Sequence, residues 1–261
     1  MKKVLMIVCA LLMVVSAVAC TGASASKKTL VLGTSADYPP FEFIILDANG
    51  QQQYVGIDVS VAQTIAAAAG AELVVKNMDF DSLMAELQQG NVDFVLAAIE
   101  ETPERLEAAD FSDPYYTDYP PMVLVKKDNA AAYTDMSSFA GKAVGAQTGT
   151  TKADIVTNDL EGANLVALTS VTDLVNQLVY DKVDAVVLDG AVALQYAQSN
   201  PDLVVADVSL GDAYPYCVAV QKGDPKGLLP VINETIAKLL AEGKIDTFAT
   251  EADALSDQAI E

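Results

Sequence analysis

Histidine and tryptophan are both absent from this chain of 261 residues. Without histidine there is no Ser-His-Asp or Cys-His catalysis, and no zinc site with an imidazole ligand. Basic residues are scarce: 15 Lys and Arg stand against 36 Asp and Glu, a net charge of −21. A surface this acidic repels phosphate backbones and anionic headgroups, so nucleic acid is excluded as a partner and adsorption to lipid is disfavoured. Cysteine is scarce as well. Cys9, Cys20 and Cys217 are too few and too scattered for a disulfide framework or a metal cluster. No metal and no cofactor are expected. Charged residues make up only 20% and apolar ones 52%, which excludes wholesale disorder and provides for a sizeable core.

What is present begins with an address. Met1-Lys2-Lys3 is basic, and Val4 to Val18 is a mostly apolar run without charge, too short for a comfortable membrane span. Ala17-Val18-Ala19-Cys20 follows, then small polar residues to Ser26. Residues 1–19 read as a secretory signal peptide. Cleavage has two readings. Either Cys20 becomes the lipidated first residue of a bacterial lipoprotein, with 20–28 as its linker, or Ala17-x-Ala19 is an ordinary cleavage site. The lipid anchor is the expectation, although Ala17 stands where leucine is usual. The expected location is extracytoplasmic, on the outer face of the cell membrane; periplasmic and soluble is the alternative. Cys217, in the apolar run Tyr216 to Val220, reads as a small core residue.

The rest of the chain reads as two similar halves. Thr29 to Gly33 is an apolar strand. Gly56 to Gly70 is a helix, with Asp58 able to cap it and Ile57, Val61, Ile65 and Ala69 on one face. Asp81 to Gln89 is a second helix, and Val92 to Ile99 a strand covered on both faces. The second half repeats this grammar. Lys142 to Ala146 is a strand, Val171 to Tyr180 a helix, and Val183-Asp184-Ala185-Val186-Val187 echoes Val92-Asp93-Phe94-Val95-Leu96. Alternating strands and helices imply parallel sheets. The expected fold is α/β and two-lobed, each lobe a mostly parallel sheet flanked by helices. Residues 29–117 with 216–249 would form lobe 1 and 122–207 lobe 2. Crossover hinges would lie at 118–121 and 208–215, and 250–261 would be a flexible acidic tail.

Four segments then combine: Leu32 to Phe43 with its Asp37-Tyr38-Pro39-Pro40-Phe41, Val55-Gly56-Ile57-Asp58, Met78 to Leu83, and Thr102-Pro103-Glu104-Arg105 leading to Asp110-Phe111-Ser112-Asp113-Pro114-Tyr115-Tyr116. With Gln147-Thr148-Gly149-Thr150-Thr151 and Val183 to Asp189, their order and spacing resemble the extracellular solute-binding proteins of ABC transporters, in the polar amino-acid family. The resemblance covers roughly residues 29–248. It implies a periplasmic-binding-protein-like fold whose cleft closes on a free L-amino acid, for delivery to permease subunits by a monomeric protein without enzymatic activity.

The resemblance also implies roles. Arg105 matches the arginine that grips the ligand carboxylate, together with Thr150 and Thr151. Independently, Thr102 can cap a helix with Pro103 first, which sets Arg105, the chain's one arginine, in the first turn beside unpaired amides. Asp189, at the C-terminal end of a strand and so at the crevice mouth, matches the partner of the ligand ammonium; the alternative is a cap for the helix Ala191 to Gln198. Tyr38 and Phe80 match aromatics that sandwich the ligand side chain, although simple core packing accounts for Phe80 about as well. Ala98 and Gln147 fall within the same ligand-binding set. Glu100 departs from the family by replacing a usual Ser or Thr, and with Asp189 it would set two carboxylates beside one ammonium. Ser35 stands where several cationic-ligand members carry an acid. Two other functions fit the scaffold: a secreted dehydratase of a cyclic acid with Glu100 as general acid, and a ligand-sensing domain for a receptor.

Overall fold

The computed structural model describes residues 28–260. The signal peptide, its cleavage and Cys20 lie outside the described residues.

Two five-stranded sheets organise the molecule. The first contains β1 (Thr29–Thr34), β5 (Glu72–Asn77), β6 (Phe94–Val95), β7 (Ala109–Phe111) and β15 (Ala219–Gln221), in the order β5-β1-β6-β15-β7. The second contains β9 (Met122–Lys126), β10 (Ala143–Gln147), β11 (Asn164–Leu168), β12 (Ala185–Leu188) and β13 (Leu203–Val205), in the order β11-β10-β12-β9-β13. In each sheet the first three strands run parallel, while the fourth is antiparallel to both of its neighbours. A three-stranded antiparallel ribbon, β2 (Asp37–Tyr38), β3 (Glu42–Leu46) and β4 (Gln52–Val55), stands beside the first sheet.

The repeat seen in the sequence is a repeat of contacts. Asp93 accepts a hydrogen bond from the Val31 amide at 2.7 Å, and Asp184 accepts one from the Ala143 amide at 2.8 Å. Each carboxylate thus ties the approach to one inner strand to the start of its neighbour. Helix α2 (Leu83–Gln88) lays Leu83 on Gly33, and α5 (Val171–Val179) lays Leu174 on Gly145. A Cβ at Gly145 would come within 2.9 Å of the leucine, so glycine admits the helix. Apolar side chains cover both faces of the sheets. One large cluster runs from α1 (Ile57–Ala68) and α7 (Leu229–Ala241) through Tyr38, Phe41 and Tyr216 to α5. Two smaller clusters, around Phe139 and Leu87, cover the opposite faces.

The chain crosses between the sheets twice. The crossings pair as short antiparallel strands, β8 (Tyr116–Thr117) with β14 (Pro215–Tyr216). Asp118, just beyond β8, accepts hydrogen bonds from the Tyr216 hydroxyl and from the Ala191 amide at the start of α6 (Gly190–Ser199).

Several expectations are corrected here. Gly56, with φ of 122°, occupies the cap of α1, because a Cβ there would meet the Phe41 carbonyl at 2.1 Å. Asp58 therefore does not cap; it is buried and accepts from the Ala98 amide and the Tyr115 hydroxyl. Only Phe94–Val95 of the run Val92 to Ile99 is strand, since the chain then turns and Ala98 takes a φ of 45°. Residues 250–260 do not form a flexible tail. Helix α8 extends through Lys244–Ser256, and the Ile260 amide donates to the Ile44 carbonyl at 2.8 Å. Ile245, Phe248, Ala252 and Leu255 recur at helical spacing and pack on the first lobe, while acidic residues on the other face give the segment its polar appearance.

Candidate functional site

The loops at one end of each sheet face one another, and four charged side chains meet between them. Thr102 caps α3 (Pro103–Ala108), its hydroxyl accepting from the Arg105 amide at 3.2 Å. That cap fixes the first turn and turns Arg105 inward, where it is only 9% exposed. Arg105 Nη1 donates to the Glu100 carbonyl and to Glu100 Oε2, both at 2.9 Å, and Nη2 donates across to the Gly149 carbonyl at 3.2 Å. Its guanidinium lies 5.3 Å from the centre of the Phe80 ring.

On the facing side, Thr150 caps α4 (Thr151–Asn158). The first turn of α4 projects Thr151 and Lys152 toward Glu100. Thr151 Oγ1 donates to Glu100 Oε1 at 2.9 Å, and Lys152 Nζ donates to the same oxygen at 2.6 Å. Lys152 Nζ also lies 2.8 Å from Asp189 Oδ2, which accepts from the Tyr38 hydroxyl at 2.7 Å. Glu100, Lys152 and Asp189 are 2%, 4% and 5% exposed, so all three charges are desolvated and must satisfy one another.

Burial opposes ionisation of Glu100, but Lys152 and Arg105 outweigh it and hold this carboxyl down at about 2. Burial pushes Lys152 down, and Asp189 with Glu100 more than reverses that, so its pKa ends above the ordinary value. Asp189 is raised by burial, against the pull of Lys152, because Glu100 adds its own negative charge nearby. Burial and Asp189 keep the Tyr38 phenol protonated.

The sequence-derived candidates separate by position. Tyr38, Phe80, Ala98, Gln147, Thr150 and Asp189 line one enclosed cavity of about 10 Å³, together with Ser35, Glu42, Ala97 and Lys152. Arg105, Glu100 and Thr151 do not line that cavity: Glu100 and Thr151 join it through Lys152, and Arg105 lines a neighbouring groove with Phe80, Gly149 and Thr150. Gln147 turns its amide to the Thr169 carbonyl, and the Thr150 hydroxyl donates to the Gln147 carbonyl. Asp189 heads α6 by position but makes no side-chain cap; its carboxylate serves Tyr38 and Lys152 instead.

Two site residues escaped the sequence reading. Lys152 directly follows the Thr pair, and the signal was electrostatic: two carboxylates predicted beside one ammonium call for a second buried cation besides Arg105. Glu42 follows Phe41 and is 1% exposed. Burial first, then Asp58 and Asp37, push its carboxyl well above the usual range, and its Oε2 has no hydrogen-bond partner among the described residues. Asp58, by burial, is itself raised to about 6.

Comparison with known proteins places this geometry. The model of the bacterial extracellular solute-binding proteins, family 3, matches residues 30–251. The arginine-binding extracellular protein ArtP of Bacillus subtilis is 36% identical over 223 residues, 82% of this chain and 84% of that protein. The amino acid ABC transporter substrate-binding protein AbpA of Streptococcus pneumoniae, solved bound to L-arginine, superposes with a TM-score of 0.83 at 33% identity, covering 89% of this chain and 97% of that one. An ancestral arginine-binding protein solved with glutamine superposes with a TM-score of 0.78 at 34% identity, covering 86% and 97%.

Proposed function

The chain belongs to the bacterial extracellular solute-binding proteins, family 3, and from that premise we propose that it captures a free L-amino acid outside the cytoplasm and hands it to an ABC transporter permease. The observation that carries the reading is the four-charge cluster Arg105, Glu100, Lys152 and Asp189, buried between two lobes. Its cations and carboxylates offer an oppositely charged partner to each end of a zwitterion in a desolvated space. Arg105 takes the ligand carboxylate through its planar fork, helped by the loop at Gly149, Thr150 and Thr151. Asp189 and Glu100 take the ammonium, and Tyr38 and Phe80 flank the side chain. We assign 29–117 with 216–260 and 122–207 as the moving lobes, in keeping with sheet membership and with the packing of the last helix. The paired crossovers serve as the hinge.

A cationic or amide side chain suits the pocket best. Glu42 lines the cavity and one of its carboxyl oxygens has no hydrogen-bond partner among the described residues; a donor on the ligand side chain would satisfy it. The arginine-bound and glutamine-bound relatives support that range. The surroundings of Glu100 disfavour an enzymatic role: a general acid must hold a proton, and two cations keep Glu100 ionised. Among the described residues no helix is long and apolar enough to cross a membrane, and Cys20 would supply a lipid anchor. A thermal-shift screen against the twenty L-amino acids, ornithine and cystine tests the reading. Stabilisation by arginine or another polar amino acid is expected; a response to sugars or metal ions alone would overturn it.

A further inference from the structure

Lys152 stands where a second ammonium is wanted. Its Nζ bridges a carboxylate of each lobe, Glu100 at 2.6 Å and Asp189 at 2.8 Å. These are the two acids that the amino-acid reading reserves for the ligand ammonium. The cavity left beside it, about 10 Å³, suits one water molecule at most, whereas small-molecule pockets run to hundreds of Å³. Amino acid and Lys152 side chain therefore cannot share this place.

We infer that Lys152 is a tethered ammonium that latches the lobes together through Glu100 and Asp189 and competes with the incoming ligand for that position. The chemistry of the exchange is balanced. One ammonium leaves and one arrives, and both carboxylates stay paired. Lysine suits the part because its charge is a point on a flexible four-carbon stem, able to swing out toward solvent as the lobes part. Its anchorage suits it as well: Lys152 sits one residue into α4, whose start is fixed by the Thr150 cap. The latch has a cost for binding. A latched molecule cannot accept ligand, so apparent affinity falls in proportion to the latched fraction, and nine molecules in ten latched would weaken binding about tenfold. The competitor's identity rests on the amino-acid reading; the latch does not.

The test combines two measurements on the mature protein and on Lys152→Met and Lys152→Gln. The glutamine variant retains a hydrogen-bond donor for both carboxylates, which guards against a methionine variant that does not fold. Small-angle scattering without added amino acid should give a larger radius of gyration for both variants than for wild type, because two carboxylates no longer share a bridging cation. Calorimetric titration with L-arginine should give about tenfold tighter binding in the variants. Equal radii in all three proteins would overturn the latch. Larger radii with unchanged or weaker arginine binding would overturn the competition, and would make Lys152 a ligand contact instead. If none of the twenty L-amino acids, ornithine or cystine binds any of the three, the amino-acid reading fails, and the radii alone decide the latch.

Discussion

The Tyr38 hydroxyl and the Asp189 carboxylate meet at 2.7 Å across 151 positions of sequence and across the gap between the lobes. The Asp189 amide donates back to the same hydroxyl at 3.2 Å. One phenol thus serves both the side chain and the backbone at the head of α6.

Tyr38→Phe removes that phenol while keeping the ring. Asp189 would lose a donor in a desolvated place, at about 1–3 kcal/mol. Urea unfolding should show a lower midpoint with an unchanged slope. Wild-type stability in this variant would mean that the bond contributes nothing net.

Arg105→Ala should cost both binding and stability. Loss of a charge-assisted fork to a buried carboxylate costs roughly 3–5 kcal/mol, or two to four decades of affinity. Its contacts to Glu100 and Gly149 already hold the guanidinium in the folded chain, so the melting temperature should fall too. Arg105→Lys should recover part of the stability but little of the affinity, since charge is kept and the fork lost. Titration calorimetry beside melting curves separates the two.

Stability should decline as pH rises from 4 to 7. Asp37, Asp58 and Asp118 are each raised from 3.8 to about 6, burial being the largest cause. Between about pH 4 and 6 the folded state holds protons that the unfolded chain has released, so folding is favoured at the lower end, by of order 2–3 kcal/mol per group. Glu100 works in the opposite sense. Its depressed pKa contributes stability above about 4.5 that is lost as pH falls toward 2. Urea midpoints should therefore be highest at about pH 4 and fall toward pH 7, and Asp118→Asn should flatten that decline. A midpoint that climbs to pH 7 would contradict these shifts.

Gly190→Ala tests the packing of the crossover. An added Cβ would lie 2.5 Å from the Tyr119 Cβ and 2.7 Å from the Pro120 carbonyl, so α6 must shift away from the hinge. A loss of about 1–3 kcal/mol is expected in unfolding experiments. A neutral result would show a crossover that yields readily.

Cys20→Ala should release the protein from membranes into the soluble fraction if Cys20 carries the lipid. Persistence of the variant in the membrane fraction would rule that anchor out.

Long-range order was legible where a pattern repeats. The echo of Val92-Asp93 in Val183-Asp184 exposed the two similar halves, since each Asp must answer a strand amide in its own sheet. Thr102, Pro103 and Arg105 were legible because a helix start is local chemistry. Lys152 was not. Its pairing depends on α4 facing Glu100 across 52 positions of sequence, and nothing near Lys152 marks it as buried. The final helix misled for the opposite reason: its exposed face is acidic enough to mask an apolar stripe of four residues. Asp58 looked like a cap by spacing alone, whereas the close approach of Phe41 reserves that cap for Gly56.

The place of β15 bears on how the chain is assembled. It lies between β6 and β7 although it follows them by more than a hundred positions, whereas the second sheet draws only on residues 122–205. When the polypeptide emerges in order, the second sheet can be completed while the first still has a slot open between β6 and β7. Sequence-distant pairings of this kind are slow to form and leave unpaired edges exposed meanwhile. The half that emerges first is thus the half that finishes last, and residue 221 must have emerged before it closes. A chain cut short anywhere before that point would carry an intact second sheet on an unfinished first one, a natural target for quality-control proteases.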